Sequence, residues 1–109
     1  NMFNKSNMLG MLKQAQQAKK QLKKVQKEIN RMVFKGSSED ESVVVTVNGK
    51  LEITNVELSD YFSSCDSRQQ TLLIKTAVNN AIASAQKTTQ EKMNSATGGM
   101  LGDMNIPGL

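Results

Sequence analysis

No histidine occurs anywhere in this chain, and Cys65 is its only cysteine. These absences remove an intrachain disulfide, a Cys/His zinc cluster and every nucleophile–base pair built on imidazole. Cys65 lies just ahead of a predicted helix start and reads as an ordinary free thiol. No glycine-rich phosphate loop is present. The consecutive acids Glu39, Asp40 and Glu41 read as a solvated connection, because neighbours in a loop do not converge on one ion. The expectation is a protein with no enzymatic activity, no cofactor, no metal and no small-molecule substrate.

Aromatic residues and long apolar runs are also scarce. Phe3, Phe34, Tyr61 and Phe62 are the only aromatics. No segment approaches the roughly 20 apolar residues of a membrane span. The cluster Met8-Leu9-Gly10-Met11-Leu12 is too short for a secretory core. The expected setting is the cytoplasm, with no membrane contact and with Met2 as the natural start behind an added Asn1. A chain this short with so thin an apolar content struggles to bury enough surface alone, so a homodimer is expected.

What the chain does have is an ordered seam. Met8, Met11, Ala15, Ala18, Leu22, Val25, Ile29 and Met32 follow one another at alternating spacings of three and four. Such a repeat keeps one narrow helix face turned to a partner. Around it stand Lys13, Lys19, Lys20, Lys23, Lys24, Lys27 and Arg31, with Glu28 as the only acid. Residues 1–35 hold nine Lys/Arg against one acid, a balance of +8, whereas residues 36–109 hold five against nine, or −4. A soluble surface usually mixes both signs. A helix so one-sided in charge suits a polyanion.

The pattern predicts an α+β fold. A long helix runs from about Asn7 to Arg31, followed by a short strand at 32–36 and an acidic connection. Two β-branched runs, 42–47 and 50–58, flank Asn48-Gly49 and predict a two-residue hairpin. Its register would set Val47 opposite Lys50, Thr46 opposite Leu51, Val45 opposite Glu52 and Val44 opposite Ile53. Both sheet faces would then carry apolar residues, which again calls for a second subunit. Ser59 to Phe62 reads as one helical turn. Asp66 or Ser67 with Gln69 or Gln70 resembles a capping box for a second long helix from about Ser67 to Asn94. Helices of that length overhang a small sheet, so a dimer would present protruding arms. The expected organisation is a disordered start at 1–7, one α-β-β-β-α dimerising domain at 8–94, and a flexible Gly/Met-rich tail at 95–109.

This order of elements resembles the YbaB/EbfC family of nucleoid-associated DNA-binding proteins. The resemblance rests on Met11-Leu12-Lys13-Gln14-Ala15-Gln16-Gln17, Val45-Thr46-Val47-Asn48-Gly49, Val56-Glu57-Leu58, Ala77-Val78-Asn79-Asn80-Ala81, Gln90-Glu91-Lys92-Met93 and Gly98-Gly99-Met100. It implies a cofactor-free homodimer with tweezer-like helical arms that binds DNA with limited sequence preference in the nucleoid. Many members scatter glutamates along the first helix, and this chain departs from them in being almost purely basic there.

The expected DNA-binding residues are Lys13, Lys19, Lys20, Lys23, Lys24, Lys27 and Arg31, with Lys87 and Lys92 as secondary contributors. Asn79 and Asn80 are base-reading side-chain types, but their place mid-helix beside the sheet favours a structural role. The alternative function is a coiled-coil adaptor or chaperone-like arm with Met8, Met11, Met32, Met93, Met100 and Met104 as a soft protein-binding surface. RNA association ranks lower, because aromatics that stack unpaired bases are nearly missing.

Overall fold

The structure, a computed structural model, describes residues 2–96. Helix α1 (Met2–Asn30) leads into strands β1 (Val33–Ser37), β2 (Val43–Asn48) and β3 (Ile53–Leu58), then the short helix α2 (Asp60–Ser64) and the long helix α3 (Ser67–Ala96). The expected α+β order is therefore present, with α1 starting five residues ahead of Asn7. The Gly/Met-rich segment beyond residue 96 lies outside the described residues.

The three strands form an antiparallel sheet in the order β1-β2-β3. Phe34, Gly36, Val43, Val45 and Val47 share one face, and α3 lies over the β1 and β2 part of it. Ala77, Ala81 and Ala85, all fully buried, recur every four residues along α3 and let the helix lie close to the strands. Gly36 completes that close approach, since a Cβ there would overlap the α3 backbone at Asn80 and Ala81. Phe34 and Phe62 are buried in the same core.

The hairpin departs from the expected two-residue form. Val43, Val44, Val45 and Thr46 pair with Leu58, Glu57, Val56 and Asn55, four residues further along than expected, and Val47 pairs with Ile53 after a bulge. The connection is a three-residue loop: Leu51 N donates to Asn48 O, Asn48 N donates to Glu52 O, and Leu51 takes the left-handed conformation at φ 63°. The Asn48 side-chain oxygen accepts from Lys50 N and Glu52 N, which stabilises this longer turn. Gly49 is not the left-handed residue. Its missing Cβ instead makes room for the α1 carboxyl end, where a side chain would strike the Ile29 carbonyl.

The bulge also moves Ile53 onto the α3-facing side, opposite Val47. The other side of the sheet carries Val33, Lys35, Val44, Thr46, Asn55 and Glu57, a mixed surface and not the second apolar face expected. The uncovered apolar strip lies elsewhere. Ile53, Val56 and Leu58 extend the core face along the edge strand β3, where they remain half exposed.

Local caps match their sequence signals. Ser59 Oγ accepts from Phe62 N at the start of α2, and Asp66 Oδ1 accepts from Gln69 N at 2.8 Å ahead of α3. The reciprocal half of a capping box is absent, because the Gln69 side chain donates to the Tyr61 hydroxyl and that of Gln70 to Phe62 O.

Candidate nucleic-acid interface

At 1.5 Å per residue, the 29 residues of α1 make a rod of about 43 Å. Only its carboxyl-terminal third touches the body. Val25 and Ile29 are buried and Leu22 is half-buried, where α1 packs along α3. On the other side of that contact Thr88, Thr89, Lys92, Met93 and Ala96 lose exposure at helical spacing. The seam therefore divides into two parts. Leu22, Val25, Ile29 and Met32 are covered by the chain itself, whereas Met8 and Met11, each 68% exposed, and Ala15 and Ala18 are uncovered.

The overhang dominates the shape. The molecule measures 76 × 25 × 17 Å, with a radius of gyration of 20.7 Å. A globular chain of this length has a radius of gyration of about 13 Å.

The six lysine candidates on α1 are exposed, as is Arg31 immediately after its last residue. Lys13, Lys20 and Lys27 repeat every seven residues, as do Lys24 and Arg31, so these five share a stripe on the side of the helix away from the seam. Lys19 and Lys23 widen it. From Lys13 to Arg31 the stripe runs about 27 Å.

Among the described residues the one ion pair joins Lys92 Nζ to Glu28 at 3.5 Å. That pair ties α3 to α1 and neutralises the single acid on the rod. Lys92 is thus engaged within the chain, while Lys87 stays exposed on the projecting half of α3. Like charges three or four apart on a helix repel by about 0.2–0.5 kcal/mol per pair. Lys19–Lys23, Lys20–Lys23, Lys20–Lys24, Lys23–Lys27, Lys24–Lys27 and Lys27–Arg31 are all such pairs. This arrangement opposes the helix when it stands alone, and a polyanion relieves it.

Asn80 has a structural role, donating from Nδ2 to Ser37 O at 2.8 Å and so fastening α3 to β1, whereas Asn79 faces solvent. The acidic loop is closed on itself. The Asp40 carboxylate accepts from Ser42 N, Ser42 Oγ and Ser38 Oγ, bonds that hold its pKa below the usual carboxylate value, and Glu41 adopts φ 61° to let the loop turn. Cys65 Sγ donates to Tyr61 O at the end of α2. No described helix is long and apolar enough to cross a membrane. The division of the seam is what sequence reasoning missed, because a heptad marks a face and does not say how far the partner reaches.

Comparison with known proteins identifies the family of the chain. The family model described as "YbaB/EbfC DNA-binding family" matches residues 4–100. A nucleoid-associated protein of Clostridium kluyveri is 34% identical over 104 residues, covering 94% of this chain and 88% of that one. Another from Ligilactobacillus salivarius is 36% identical, with 94% of both chains covered. Among solved structures, an uncharacterized protein of Helicobacter pylori, HP0035, matches 67% of this chain and 86% of its own with a TM-score of 0.58. At 16% identity that likeness speaks for the fold alone.

Proposed function

Since the chain belongs to the YbaB/EbfC DNA-binding family, we propose that it works in the nucleoid as a homodimer whose α1 arms grip duplex DNA by its phosphates. One observation carries this reading. An exposed stripe of six α1 lysines and Arg31 runs from the overhang into the packed end of the helix, with none of the seven ion-paired among the described residues.

Phosphate contact supplies affinity without sequence information, so limited sequence preference follows. Duplex DNA carries one charge per about 1.7 Å of axis, so a stripe of about 27 Å faces enough phosphates to engage every cation on it. Lys13, Lys19, Lys20, Lys23, Lys24, Lys27 and Arg31 make the contacts, and Lys87 adds to them from α3. Lys92 acts indirectly by cancelling Glu28.

The dimer is supported by the strip Ile53, Val56 and Leu58 on the unpaired edge of the sheet. Half-exposed apolar residues on an edge strand invite a second copy. Pairing there leaves both arms free.

The test is a gel-shift titration of wild type against a variant with Lys20, Lys23, Lys24 and Lys27 all changed to Gln, with its fold checked by circular dichroism. The variant should bind at least about a hundredfold more weakly, since four phosphate contacts are lost. Equal binding by the folded variant refutes the assignment. The exposure of Met8 and Met11 favours a second reading, an adaptor arm that holds a protein client, and such binding would survive moderate salt.

A further inference from the structure

Leu9 and Leu12, near the free end of α1, are explained by neither the core nor the seam. A second chain zipped along Met8, Met11, Ala15 and Ala18 would leave Leu9 outside. Leu9 lies eighteen residues, five complete turns, before Lys27, and eleven residues, about three turns, before Lys20. It therefore stands in line with the ammonium groups, on the side turned away from the seam. Leu12 sits on the flank that it shares with Lys19, seven residues on. The two leucines are 61% and 55% exposed.

Scattered surface leucines need no explanation. These two, however, extend a cationic stripe, on an arm with no acid between Met2 and Lys27. A second copy of that arm carries the same charge and is repelled. What fits is a polyanion with apolar surface between its charges. Duplex DNA has that character, and proteins that bend it commonly push an apolar side chain between two base pairs from the minor groove while basic groups hold the phosphates. Gly10 adds a second observation. A Cβ there would meet nothing within 4 Å, so the packing of this chain does not require glycine. Its missing side chain leaves the backbone beside Leu9 open to a close neighbour.

We propose that Leu9, seconded by Leu12, is a wedge that enters a base step and kinks the DNA held by the lysine stripe. The proposal rests on the DNA-binding reading above and goes beyond it. Phosphate contacts do not by themselves part a base step, whereas a wedge unstacks one and kinks the duplex there by about 20–90°. The wedge also favours pyrimidine–purine steps such as TA, which unstack most easily.

The experiment uses the full chain and an end-labelled duplex of about 30 base pairs, with 2-aminopurine at a central TA step. Wild type should raise energy transfer between the ends and brighten the 2-aminopurine. In the Leu9→Ala, Leu12→Ala variant, whose helix alanine preserves, both signals should return to free-duplex values. Its Kd should stay within about threefold and its salt dependence should not change, because phosphate contacts are untouched. Leu9→Met should keep both signals.

A variant that bends and brightens like wild type overturns the wedge. So does wild type that binds without either signal, a result that leaves the DNA-binding reading standing. Absence of any binding removes that reading first. A fall in the variant's sedimentation coefficient would assign the leucines to contact between copies, and loss of binding to anionic phospholipid vesicles would assign them to a lipid surface. Either outcome overturns the proposal.

Discussion

Adding one methyl group at Gly36 should destabilise the domain severely, while the same change at Gly10 should not. A Cβ at Gly36 would overlap the α3 backbone at Asn80 and Ala81, which is held against the sheet by three fully buried alanines. Backbone cannot rotate away as a side chain can, so α3 must lift from β1. Overpacking of this kind costs about 1–3 kcal/mol. Lifting the helix also strains the 2.8 Å bond from Asn80 Nδ2 to Ser37 O, a contribution of about 0.5–1.5 kcal/mol. The combined loss is about 1.5–4.5 kcal/mol. For a domain of this size that lowers Tm by at least about 6 °C. At Gly10 a Cβ meets nothing, and alanine is the better helix former by about 1 kcal/mol. Thermal melts followed by far-ultraviolet circular dichroism, at one fixed protein concentration, read both variants. A Gly36→Ala protein melting within about 3 °C of wild type would refute the reasoning that α3 rests on β1 through that glycine.

Glu28→Gln should release Lys92 and leave α1 without an acid; DNA affinity at low salt should rise about two- to threefold in a gel shift, with a stability loss below about 1 kcal/mol because the pair is half exposed. Val56→Asp with Leu58→Asp should halve the mass found by analytical ultracentrifugation and leave the helical circular dichroism signal in place, since both residues are half exposed within one chain. Asp40 titrates below its ordinary 3.8 because Ser42 N–H, then the Ser42 and Ser38 hydroxyls, favour its charged form. A lowered folded pKa stabilises above the unfolded value and is lost as pH falls through the folded one. The wild-type melting temperature should therefore drop more steeply than that of Asp40→Asn between pH 4 and more acidic conditions, and parallel curves would contradict the loop geometry.

The periodic parts of this fold were legible in the sequence. The heptad from Met8 to Met32 announced α1, and the β-branched runs announced β2 and β3, because burial on one face imposes a period that composition reveals. The hairpin register was not legible. Asn48-Gly49 is the signature of a two-residue turn, but here the Asn48 amide secures a three-residue loop and Gly49 serves the packing of α1 at Ile29. Tertiary contact, which no local pattern records, decided the role of that glycine. An even shift of four kept Val43 and Val45 on the expected face, whereas the bulge carried Ile53 across to it and relocated the apolar strip to the β3 edge. At the candidate interface, the exposed lysines followed from their positions relative to the seam. The pairing of Lys92 with Glu28 joins residues 64 apart in sequence and had no local signal.

If the lysine stripe of α1 holds DNA by its phosphates, binding by the wild-type protein must weaken steeply as salt is raised. If the seven cations of one stripe each neutralise a phosphate, log K against log salt concentration falls with a slope of about −6 or steeper. A slope near zero, whatever the affinity, would mean that the stripe does not hold the phosphates.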